Sequence, residues 1–148
     1  MENKPFIVYV VEDNEWYNKL LVHNLSLNPD FVVKSFLNGK DLMAALIKKP
    51  DVVTLDYRLP DINGESLLSK IKDFDQNIEV IVISEQEEIE TAVDLLKAGA
   101  YDYIVKSKDI KDRLNNTVNP IKKNAKLKKQ FGTTTKRSSG EICLLKNL

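Results

Sequence analysis

The chain has a single cysteine, Cys143, so it can form no internal disulfide and has none of the spaced partners that a zinc or dithiol redox motif requires. That points to a reducing compartment. Long apolar runs are also missing. The first, Phe6 to Val11, is too short for the core of a signal peptide and far too short to span a membrane, and no later run is longer. The sequence is read as cytoplasmic, with no membrane partner. The lone histidine, His23, falls on a predicted first helix away from any polar cluster and is given no catalytic role. Net charge is absent as well, 22 Lys+Arg facing 22 Asp+Glu. What is present, 43% apolar and 30% charged residues in 148, suits one ordinary globular core and excludes a disordered or collagen-like chain.

The neutrality hides two opposites. Residues 1–119 carry 14 basic and 21 acidic side chains, whereas residues 120–148 carry 8 basic and 1 acidic. An acidic body of 1–119 is therefore followed by a basic segment, 120–148, expected to be a helix extension and then a flexible Thr/Ser/Gly-rich linker or tail.

Five apolar runs predict strands: Phe6 to Val11, Phe31 to Phe36, Val52 to Leu55, Ile78 to Ile83 and Tyr101 to Val105. Between them lie helical stripes. The clearest is Ile89, Ala92, Val93 and Leu96, spaced as a helix packed by one face, with Gly99 as its stop. Asp13 or Asn14, and Asn38, are candidate N-caps for the first two helices. A last helix is expected from near Asp109, with Pro120 kinking or ending it. Strand and helix alternating five times require parallel neighbours, which predicts a doubly wound five-stranded parallel sheet flanked by helices. The alternating second run belongs at an edge, and chemistry is expected at the carboxyl ends of the strands.

Those ends are polar. The first strand runs into Glu12 and Asp13, the third into Asp56, the fourth into Ser84 and the fifth into Lys106. Three carboxylates on one rim with one lysine call for a cation, and an all-oxygen set without His or Cys suits a hard ion, Mg²⁺. For any one of these residues a solvated loop acid is the simpler reading; their recurrence at four strand ends is what argues for a site.

Here the residues resemble the receiver domain of bacterial two-component response regulators. The resemblance covers about residues 5–118 and rests on Glu12 and Asp13, the run Asp56-Tyr-Arg-Leu-Pro-Asp-Ile-Asn-Gly64, the strand end Ile-Val-Ile-Ser84, and Ala98-Gly-Ala-Tyr-Asp-Tyr-Ile-Val-Lys106. It implies a flavodoxin-like strand order, 2-1-3-4-5. It also implies that Asp56 accepts a phosphoryl group from a sensor histidine kinase or a histidine phosphotransfer protein. Asp13, Asp56 and the Arg58 main-chain carbonyl would hold Mg²⁺, with Glu12 acting directly or through water. Lys106 would pair with Asp56 before phosphorylation and with a phosphoryl oxygen after it. Ser84 would donate to another phosphoryl oxygen, and Tyr103, an aromatic expected half buried under the fifth helix, would turn inward as the face of helix four, strand five and helix five changes. The protein would then be no enzyme beyond its own phosphorylation and dephosphorylation.

The chain also departs from the family pattern. Glu85 follows Ser84 where a small residue is usual, with Gln86 next to it; Arg58, Glu85 and Gln86 are expected modulators of the site, Glu85 with Arg58 setting the lifetime of the phosphoaspartate. Ser107 follows Lys106 where proline is common, so a trans bond is expected there. Gly64, after Leu59-Pro60, is read as a turn residue tolerating unusual backbone angles.

Rival readings are weaker. An aspartyl-phosphate phosphatase would want a second Asp two positions after Asp56, where Arg58 stands; a flavodoxin-type cofactor binder would want a phosphate loop where Glu12-Asp-Asn-Glu15 stands. An unphosphorylated pseudo-receiver remains the harder rival, opposed by the presence of the full set of site residues. The lysines 122, 123, 126, 128 and 129 lack aromatic interleaving or a helix-turn-helix, so direct nucleic-acid binding is not expected. A homodimer on phosphorylation is one expected assembly, and both a short regulator and the front part of a longer one stay open.

Overall fold

The computed structural model describes residues 4–131, with side chains to 125. In chain order the elements are β1 (Phe6–Val11), α1 (Glu15–Ser26), β2 (Phe31–Phe36), α2 (Gly39–Ala45) running into a short 3₁₀ turn (Leu46–Lys48), β3 (Val52–Asp56), α3 (Gly64–Phe74), β4 (Glu79–Ser84), α4 (Ile89–Lys97), β5 (Asp102–Val105) and α5 (Ile110–Phe131). All five strands are parallel in the order β2-β1-β3-β4-β5. The strand bounds match the sequence expectation to within a residue.

The central strand β3 is buried along its whole length, while β2 exposes alternate residues at one edge and β5 is only part-covered at the other. Because side chains alternate across the sheet, two cores form. Val8, Val10, Leu21, Leu25, Ile81, Ile104, Leu114 and Val118 pack between the sheet and α1 and α5. Tyr9, Val11, Leu42, Val53, Leu55, Leu67, Leu68 and Leu95 pack between the sheet and α2, α3 and α4. Three helices start on an asparagine whose side chain accepts a backbone N–H of the first turn: Asn14 from Tyr17, Asn38 from Asp41 and Asn63 from Ser66. Among the described residues no helix is long and apolar enough to cross a membrane.

Four expectations need correction. The stripe on α4 is not packed inward: Ile89 is 77% exposed, and Val93 and Leu96 are exposed too, while Leu95 is the buried residue of that helix. The neighbouring edge strand β5 is four residues long and offers little surface to cover a second apolar row. Pro120 does not end α5, which continues to Phe131, and Ile121 still belongs to the α1/α5 core. Gly64 is required by closeness, not by backbone angle. Its φ is not positive, but a Cβ there would lie 2.9 Å from the Tyr57 ring and 3.0 Å from the Tyr57 Cα. Tyr103 packs on the α4 side of the sheet, against the core that contains Leu95, and not under α5. Residues 132–148, which include most of the expected linker and Cys143, lie outside the described residues.

Candidate functional site

The chain reverses direction across the sheet between β1 and β3, since α1 leads from β1 to β2 on one side and the next crossover returns to β3 on the other. The carboxyl ends of strands splay apart at such a switch point and leave a crevice. Here it is a cleft of about 830 Å³ lined by Glu12, Asp13, Asp56, Arg58, Ser84 and Lys106, among others.

Strand geometry sets the burial of each acid. Glu12 immediately follows β1 and is 1% exposed; Asp56 ends β3 and is 7% exposed; Asp13, one residue further out, faces solvent. One carboxylate oxygen from each of the three lies within 4.8 Å of the others. The Glu12 carboxylate also accepts the Asn14 N–H at 3.1 Å, which ties it to the cap of α1.

Lys106 closes the cleft from the end of β5. Its Nζ is 3.0 Å from Glu12 Oε1 and 3.7 Å from Asp56 Oδ1. The lysine therefore bridges the two buried acids and lies nearer Glu12, whereas the sequence had it paired with Asp56 alone. On a third side it sits over the Tyr17 ring, 4.5 Å from the centroid. The Asp56 carboxyl is raised to about 7, first by burial and next by the charge of Glu12, against the opposing pull of Lys106 and of the Arg58 backbone N–H. No cis peptide occurs among the described residues, so the Lys106–Ser107 bond is trans as expected.

Arg58 lies in the β3–α3 loop, which folds back on itself: Arg58 and Asn63 form an isolated antiparallel bridge, and Gly64 N–H donates to the Tyr57 carbonyl at 2.7 Å. Asp61 anchors that loop by accepting the Gly39 and Lys40 N–H groups at the start of α2, at 3.0 and 2.9 Å. Across the cleft the Ser84 hydroxyl donates to the Gln86 carbonyl at 3.3 Å and accepts the Gln86 N–H at 3.2 Å. The Tyr103 hydroxyl donates to the same Gln86 carbonyl at 2.8 Å. Glu85 and Gln86 are exposed on the rim, while His23 is exposed in the last turn of α1.

The sequence reading missed three residues. Tyr17 lies against the Lys106 ammonium, a contact that nothing in its sequence context marks. Asn18 is buried and donates to the Glu12 and Phe36 carbonyls at 3.0 and 3.1 Å, fixing the ends of β1 and β2; a polar residue on the inward Leu21/Leu25 face of α1 was a signal for it. Trp16, 71% exposed, stands on the lip of the cleft, and nothing in its sequence context marks it.

An open parallel sheet of this order, with an acidic cluster, a lysine and a serine at the strand ends around one buried aspartate, defines a CheY-like receiver domain. The chain belongs to the response regulator receiver domain family, which matches residues 8–119. It is 34% identical over 105 residues to the DNA-binding transcriptional regulator NtrC of Salmonella typhimurium, covering 70% of this chain and 22% of that protein. It is 35% identical over 101 residues to the transcriptional regulatory protein CssR of Bacillus subtilis, covering 68% of this chain and 44% of that one. The chain thus spans less than half the length of these curated relatives. Among solved structures, the receiver domain of Francisella response regulator 1452 superposes with a TM-score of 0.72 at 27% identity, covering 82% of this chain and 99% of that one. A chain of the CheX-CheY-BeF3-Mg complex from Borrelia burgdorferi gives 0.71 at 29%, covering 79% and 89%.

Proposed function

We propose that the protein is the phosphoacceptor of a two-component phosphorelay, with Asp56 taking a phosphoryl group from a phosphohistidine on a sensor histidine kinase or histidine phosphotransfer protein. The observation that carries this reading is a buried aspartate, Asp56, ending β3 in an open cleft, with the Lys106 ammonium at 3.7 Å and Ser84 at the end of the adjacent strand. In an in-line displacement an Asp56 carboxylate oxygen bonds to phosphorus as the P–N bond to the donor imidazole breaks. The electron pair leaves on the imidazole nitrogen, which takes up a proton. Little else is asked of the protein than position and charge. Lys106 offers a compact positive charge to one phosphoryl oxygen and Ser84 a hydroxyl to another.

The acidic cluster fits Mg²⁺. Its donors are all hard oxygens, lie within 4.8 Å of one another, and face one lysine. Asp13, Asp56 and the Arg58 carbonyl, with Glu12 direct or through water, would hold the ion, whose chemistry when bound is to neutralise charge on the phosphoryl oxygens. On this reading the protein modifies itself and turns over no separate substrate.

The readout runs through Gln86. Its carbonyl accepts both the Ser84 and Tyr103 hydroxyls, so a phosphoryl group that draws Ser84 away loosens the loop that Tyr103 holds. Beside Tyr103 a groove of about 250 Å³ is lined by Ile89, Ala92, Val93 and Leu96 of α4, Val105 of β5 and Arg113 of α5, and this α4–β5–α5 face is the proposed output surface, where a second copy docks on phosphorylation to control an output such as transcription. Glu85 and Arg58 on the rim set the phosphoaspartate lifetime by screening it from water. Direct nucleic-acid contact has no place in this reading, and Lys122 of the basic segment is already engaged by Asp30 at 3.0 Å.

Incubation with a small phosphodonor and Mg²⁺, followed by intact-mass measurement, tests the reading. Wild type should gain one phosphoryl mass and Asp56→Asn none; absence of a Mg²⁺-dependent adduct in wild type would instead favour an unphosphorylated interaction module.

A further inference from the structure

Resting on the reading of Asp56 as acceptor, we infer that Tyr17 is a positioning residue for Lys106: its ring holds the ammonium group in the cleft and presets where the lysine meets the incoming phosphoryl group. Lys106 carries its charge on a flexible four-carbon stem, and no proline follows it to stiffen the backbone. Three contacts confine that charge: Glu12 at 3.0 Å, Asp56 at 3.7 Å and the Tyr17 ring at 4.5 Å. The two carboxylates are the same groups that would take up Mg²⁺. The ring has no such second duty, so it is the one contact of the three that does not compete with the ion.

Tyr17 is itself well fixed. Its backbone N–H is capped by the Asn14 side chain at 3.0 Å, and its ring leans on the α1/α5 core. Its hydroxyl is buried and makes no hydrogen bond among the described residues. Burial, and then the charges of Glu12, Asp56 and Glu85, push that hydroxyl up to about 12, so the ring stays neutral and offers its negative face to the ammonium.

The first measurement needs neither metal nor phosphodonor. In the metal-free protein the Lys106 ε-methylene protons should show an upfield ring-current shift in NMR spectra. Tyr17→Phe should keep it and Tyr17→Met, similar in bulk but without a ring, should lose it. In the presence of Mg²⁺ and a small phosphodonor, Tyr17→Met should lower the limiting rate constant of phosphorylation about fivefold, the scale of one lost cation–π contact, with the half-saturating donor concentration unchanged. Tyr17→Phe should phosphorylate like wild type. Unshifted Lys106 protons in wild type would overturn the inference, as would a Tyr17→Met protein that loses the shift yet phosphorylates at the wild-type rate. A wild type that takes no phosphoryl group while showing the shift would count against Asp56 as acceptor and would uphold the ring–ammonium contact. The wild-type spectrum decides that contact even if Tyr17→Met fails to fold.

Discussion

Replacing Asp56 by asparagine should stabilise the metal-free protein, by an amount that grows with pH. Asp56 is 7% exposed and shares the cleft with Glu12, Lys106 and the Arg58 N–H; burial and Glu12 outweigh the other two and hold its carboxyl at about 7, against 3.8 in the unfolded chain. The folded state therefore binds this proton more tightly than the unfolded state does, so stability falls as pH rises from about 4 to about 7. Asparagine mimics the neutral acid at every pH. A difference of that size corresponds to a gain on the order of 4 kcal/mol for Asp56→Asn above pH 7, shrinking to well under 1 kcal/mol near pH 4. Urea unfolding of both proteins in chelator at pH 4, 6 and 8 measures this directly. A variant no more stable than wild type at pH 8, or an advantage independent of pH, would refute the assignment of Asp56 as a destabilised buried acid.

Other substitutions probe separate parts of the account. Thr54 is fully buried in β3 between Val10 and Ile81 of the flanking strands, and its hydroxyl has no hydrogen-bond partner among the described residues, so Thr54→Val should raise stability by about 1 kcal/mol in thermal melts. Gly64→Ala places a methyl 3.0 Å from the Tyr57 Cα and should cost about 1–3 kcal/mol in the same assay, with phosphorylation slowed as the β3–α3 loop shifts. Glu85→Ala and Arg58→Ala should shorten the phosphoaspartate lifetime in a dephosphorylation time course; unchanged rates in both would remove their proposed screening role.

The fold was legible because its signals are local. Apolar runs at β1, β3 and β4 marked buried parallel strands, and Asn14, Asn38 and Gly99 punctuated helices as their chemistry requires. The site was legible as a list of strand ends, since parallel strands deliver whatever follows their last residue to one rim. Spacing along a chain could not show the contacts made there. That Lys106 leans toward Glu12 and onto Tyr17, or that Ser84 and Tyr103 share one carbonyl, depends on rotamers and on how α1 and the β4–α4 loop sit against the sheet. The α4 stripe misled for a related reason: periodicity reports an apolar face and does not say whether the sheet reaches it. Ile89, Val93 and Leu96 are exposed and line a groove beside Tyr103, so they belong to the surface and not to the core.

The central claim is that Asp56 carries the phosphoryl group. Borohydride reduction converts an aspartyl phosphate to homoserine, so wild-type protein treated with phosphodonor and Mg²⁺, reduced and mapped by peptide mass spectrometry should show homoserine at position 56 alone, and none when Mg²⁺ is chelated. Homoserine at another acidic residue, or unmodified Asp56 under conditions that yield the phosphorylated mass, would contradict it.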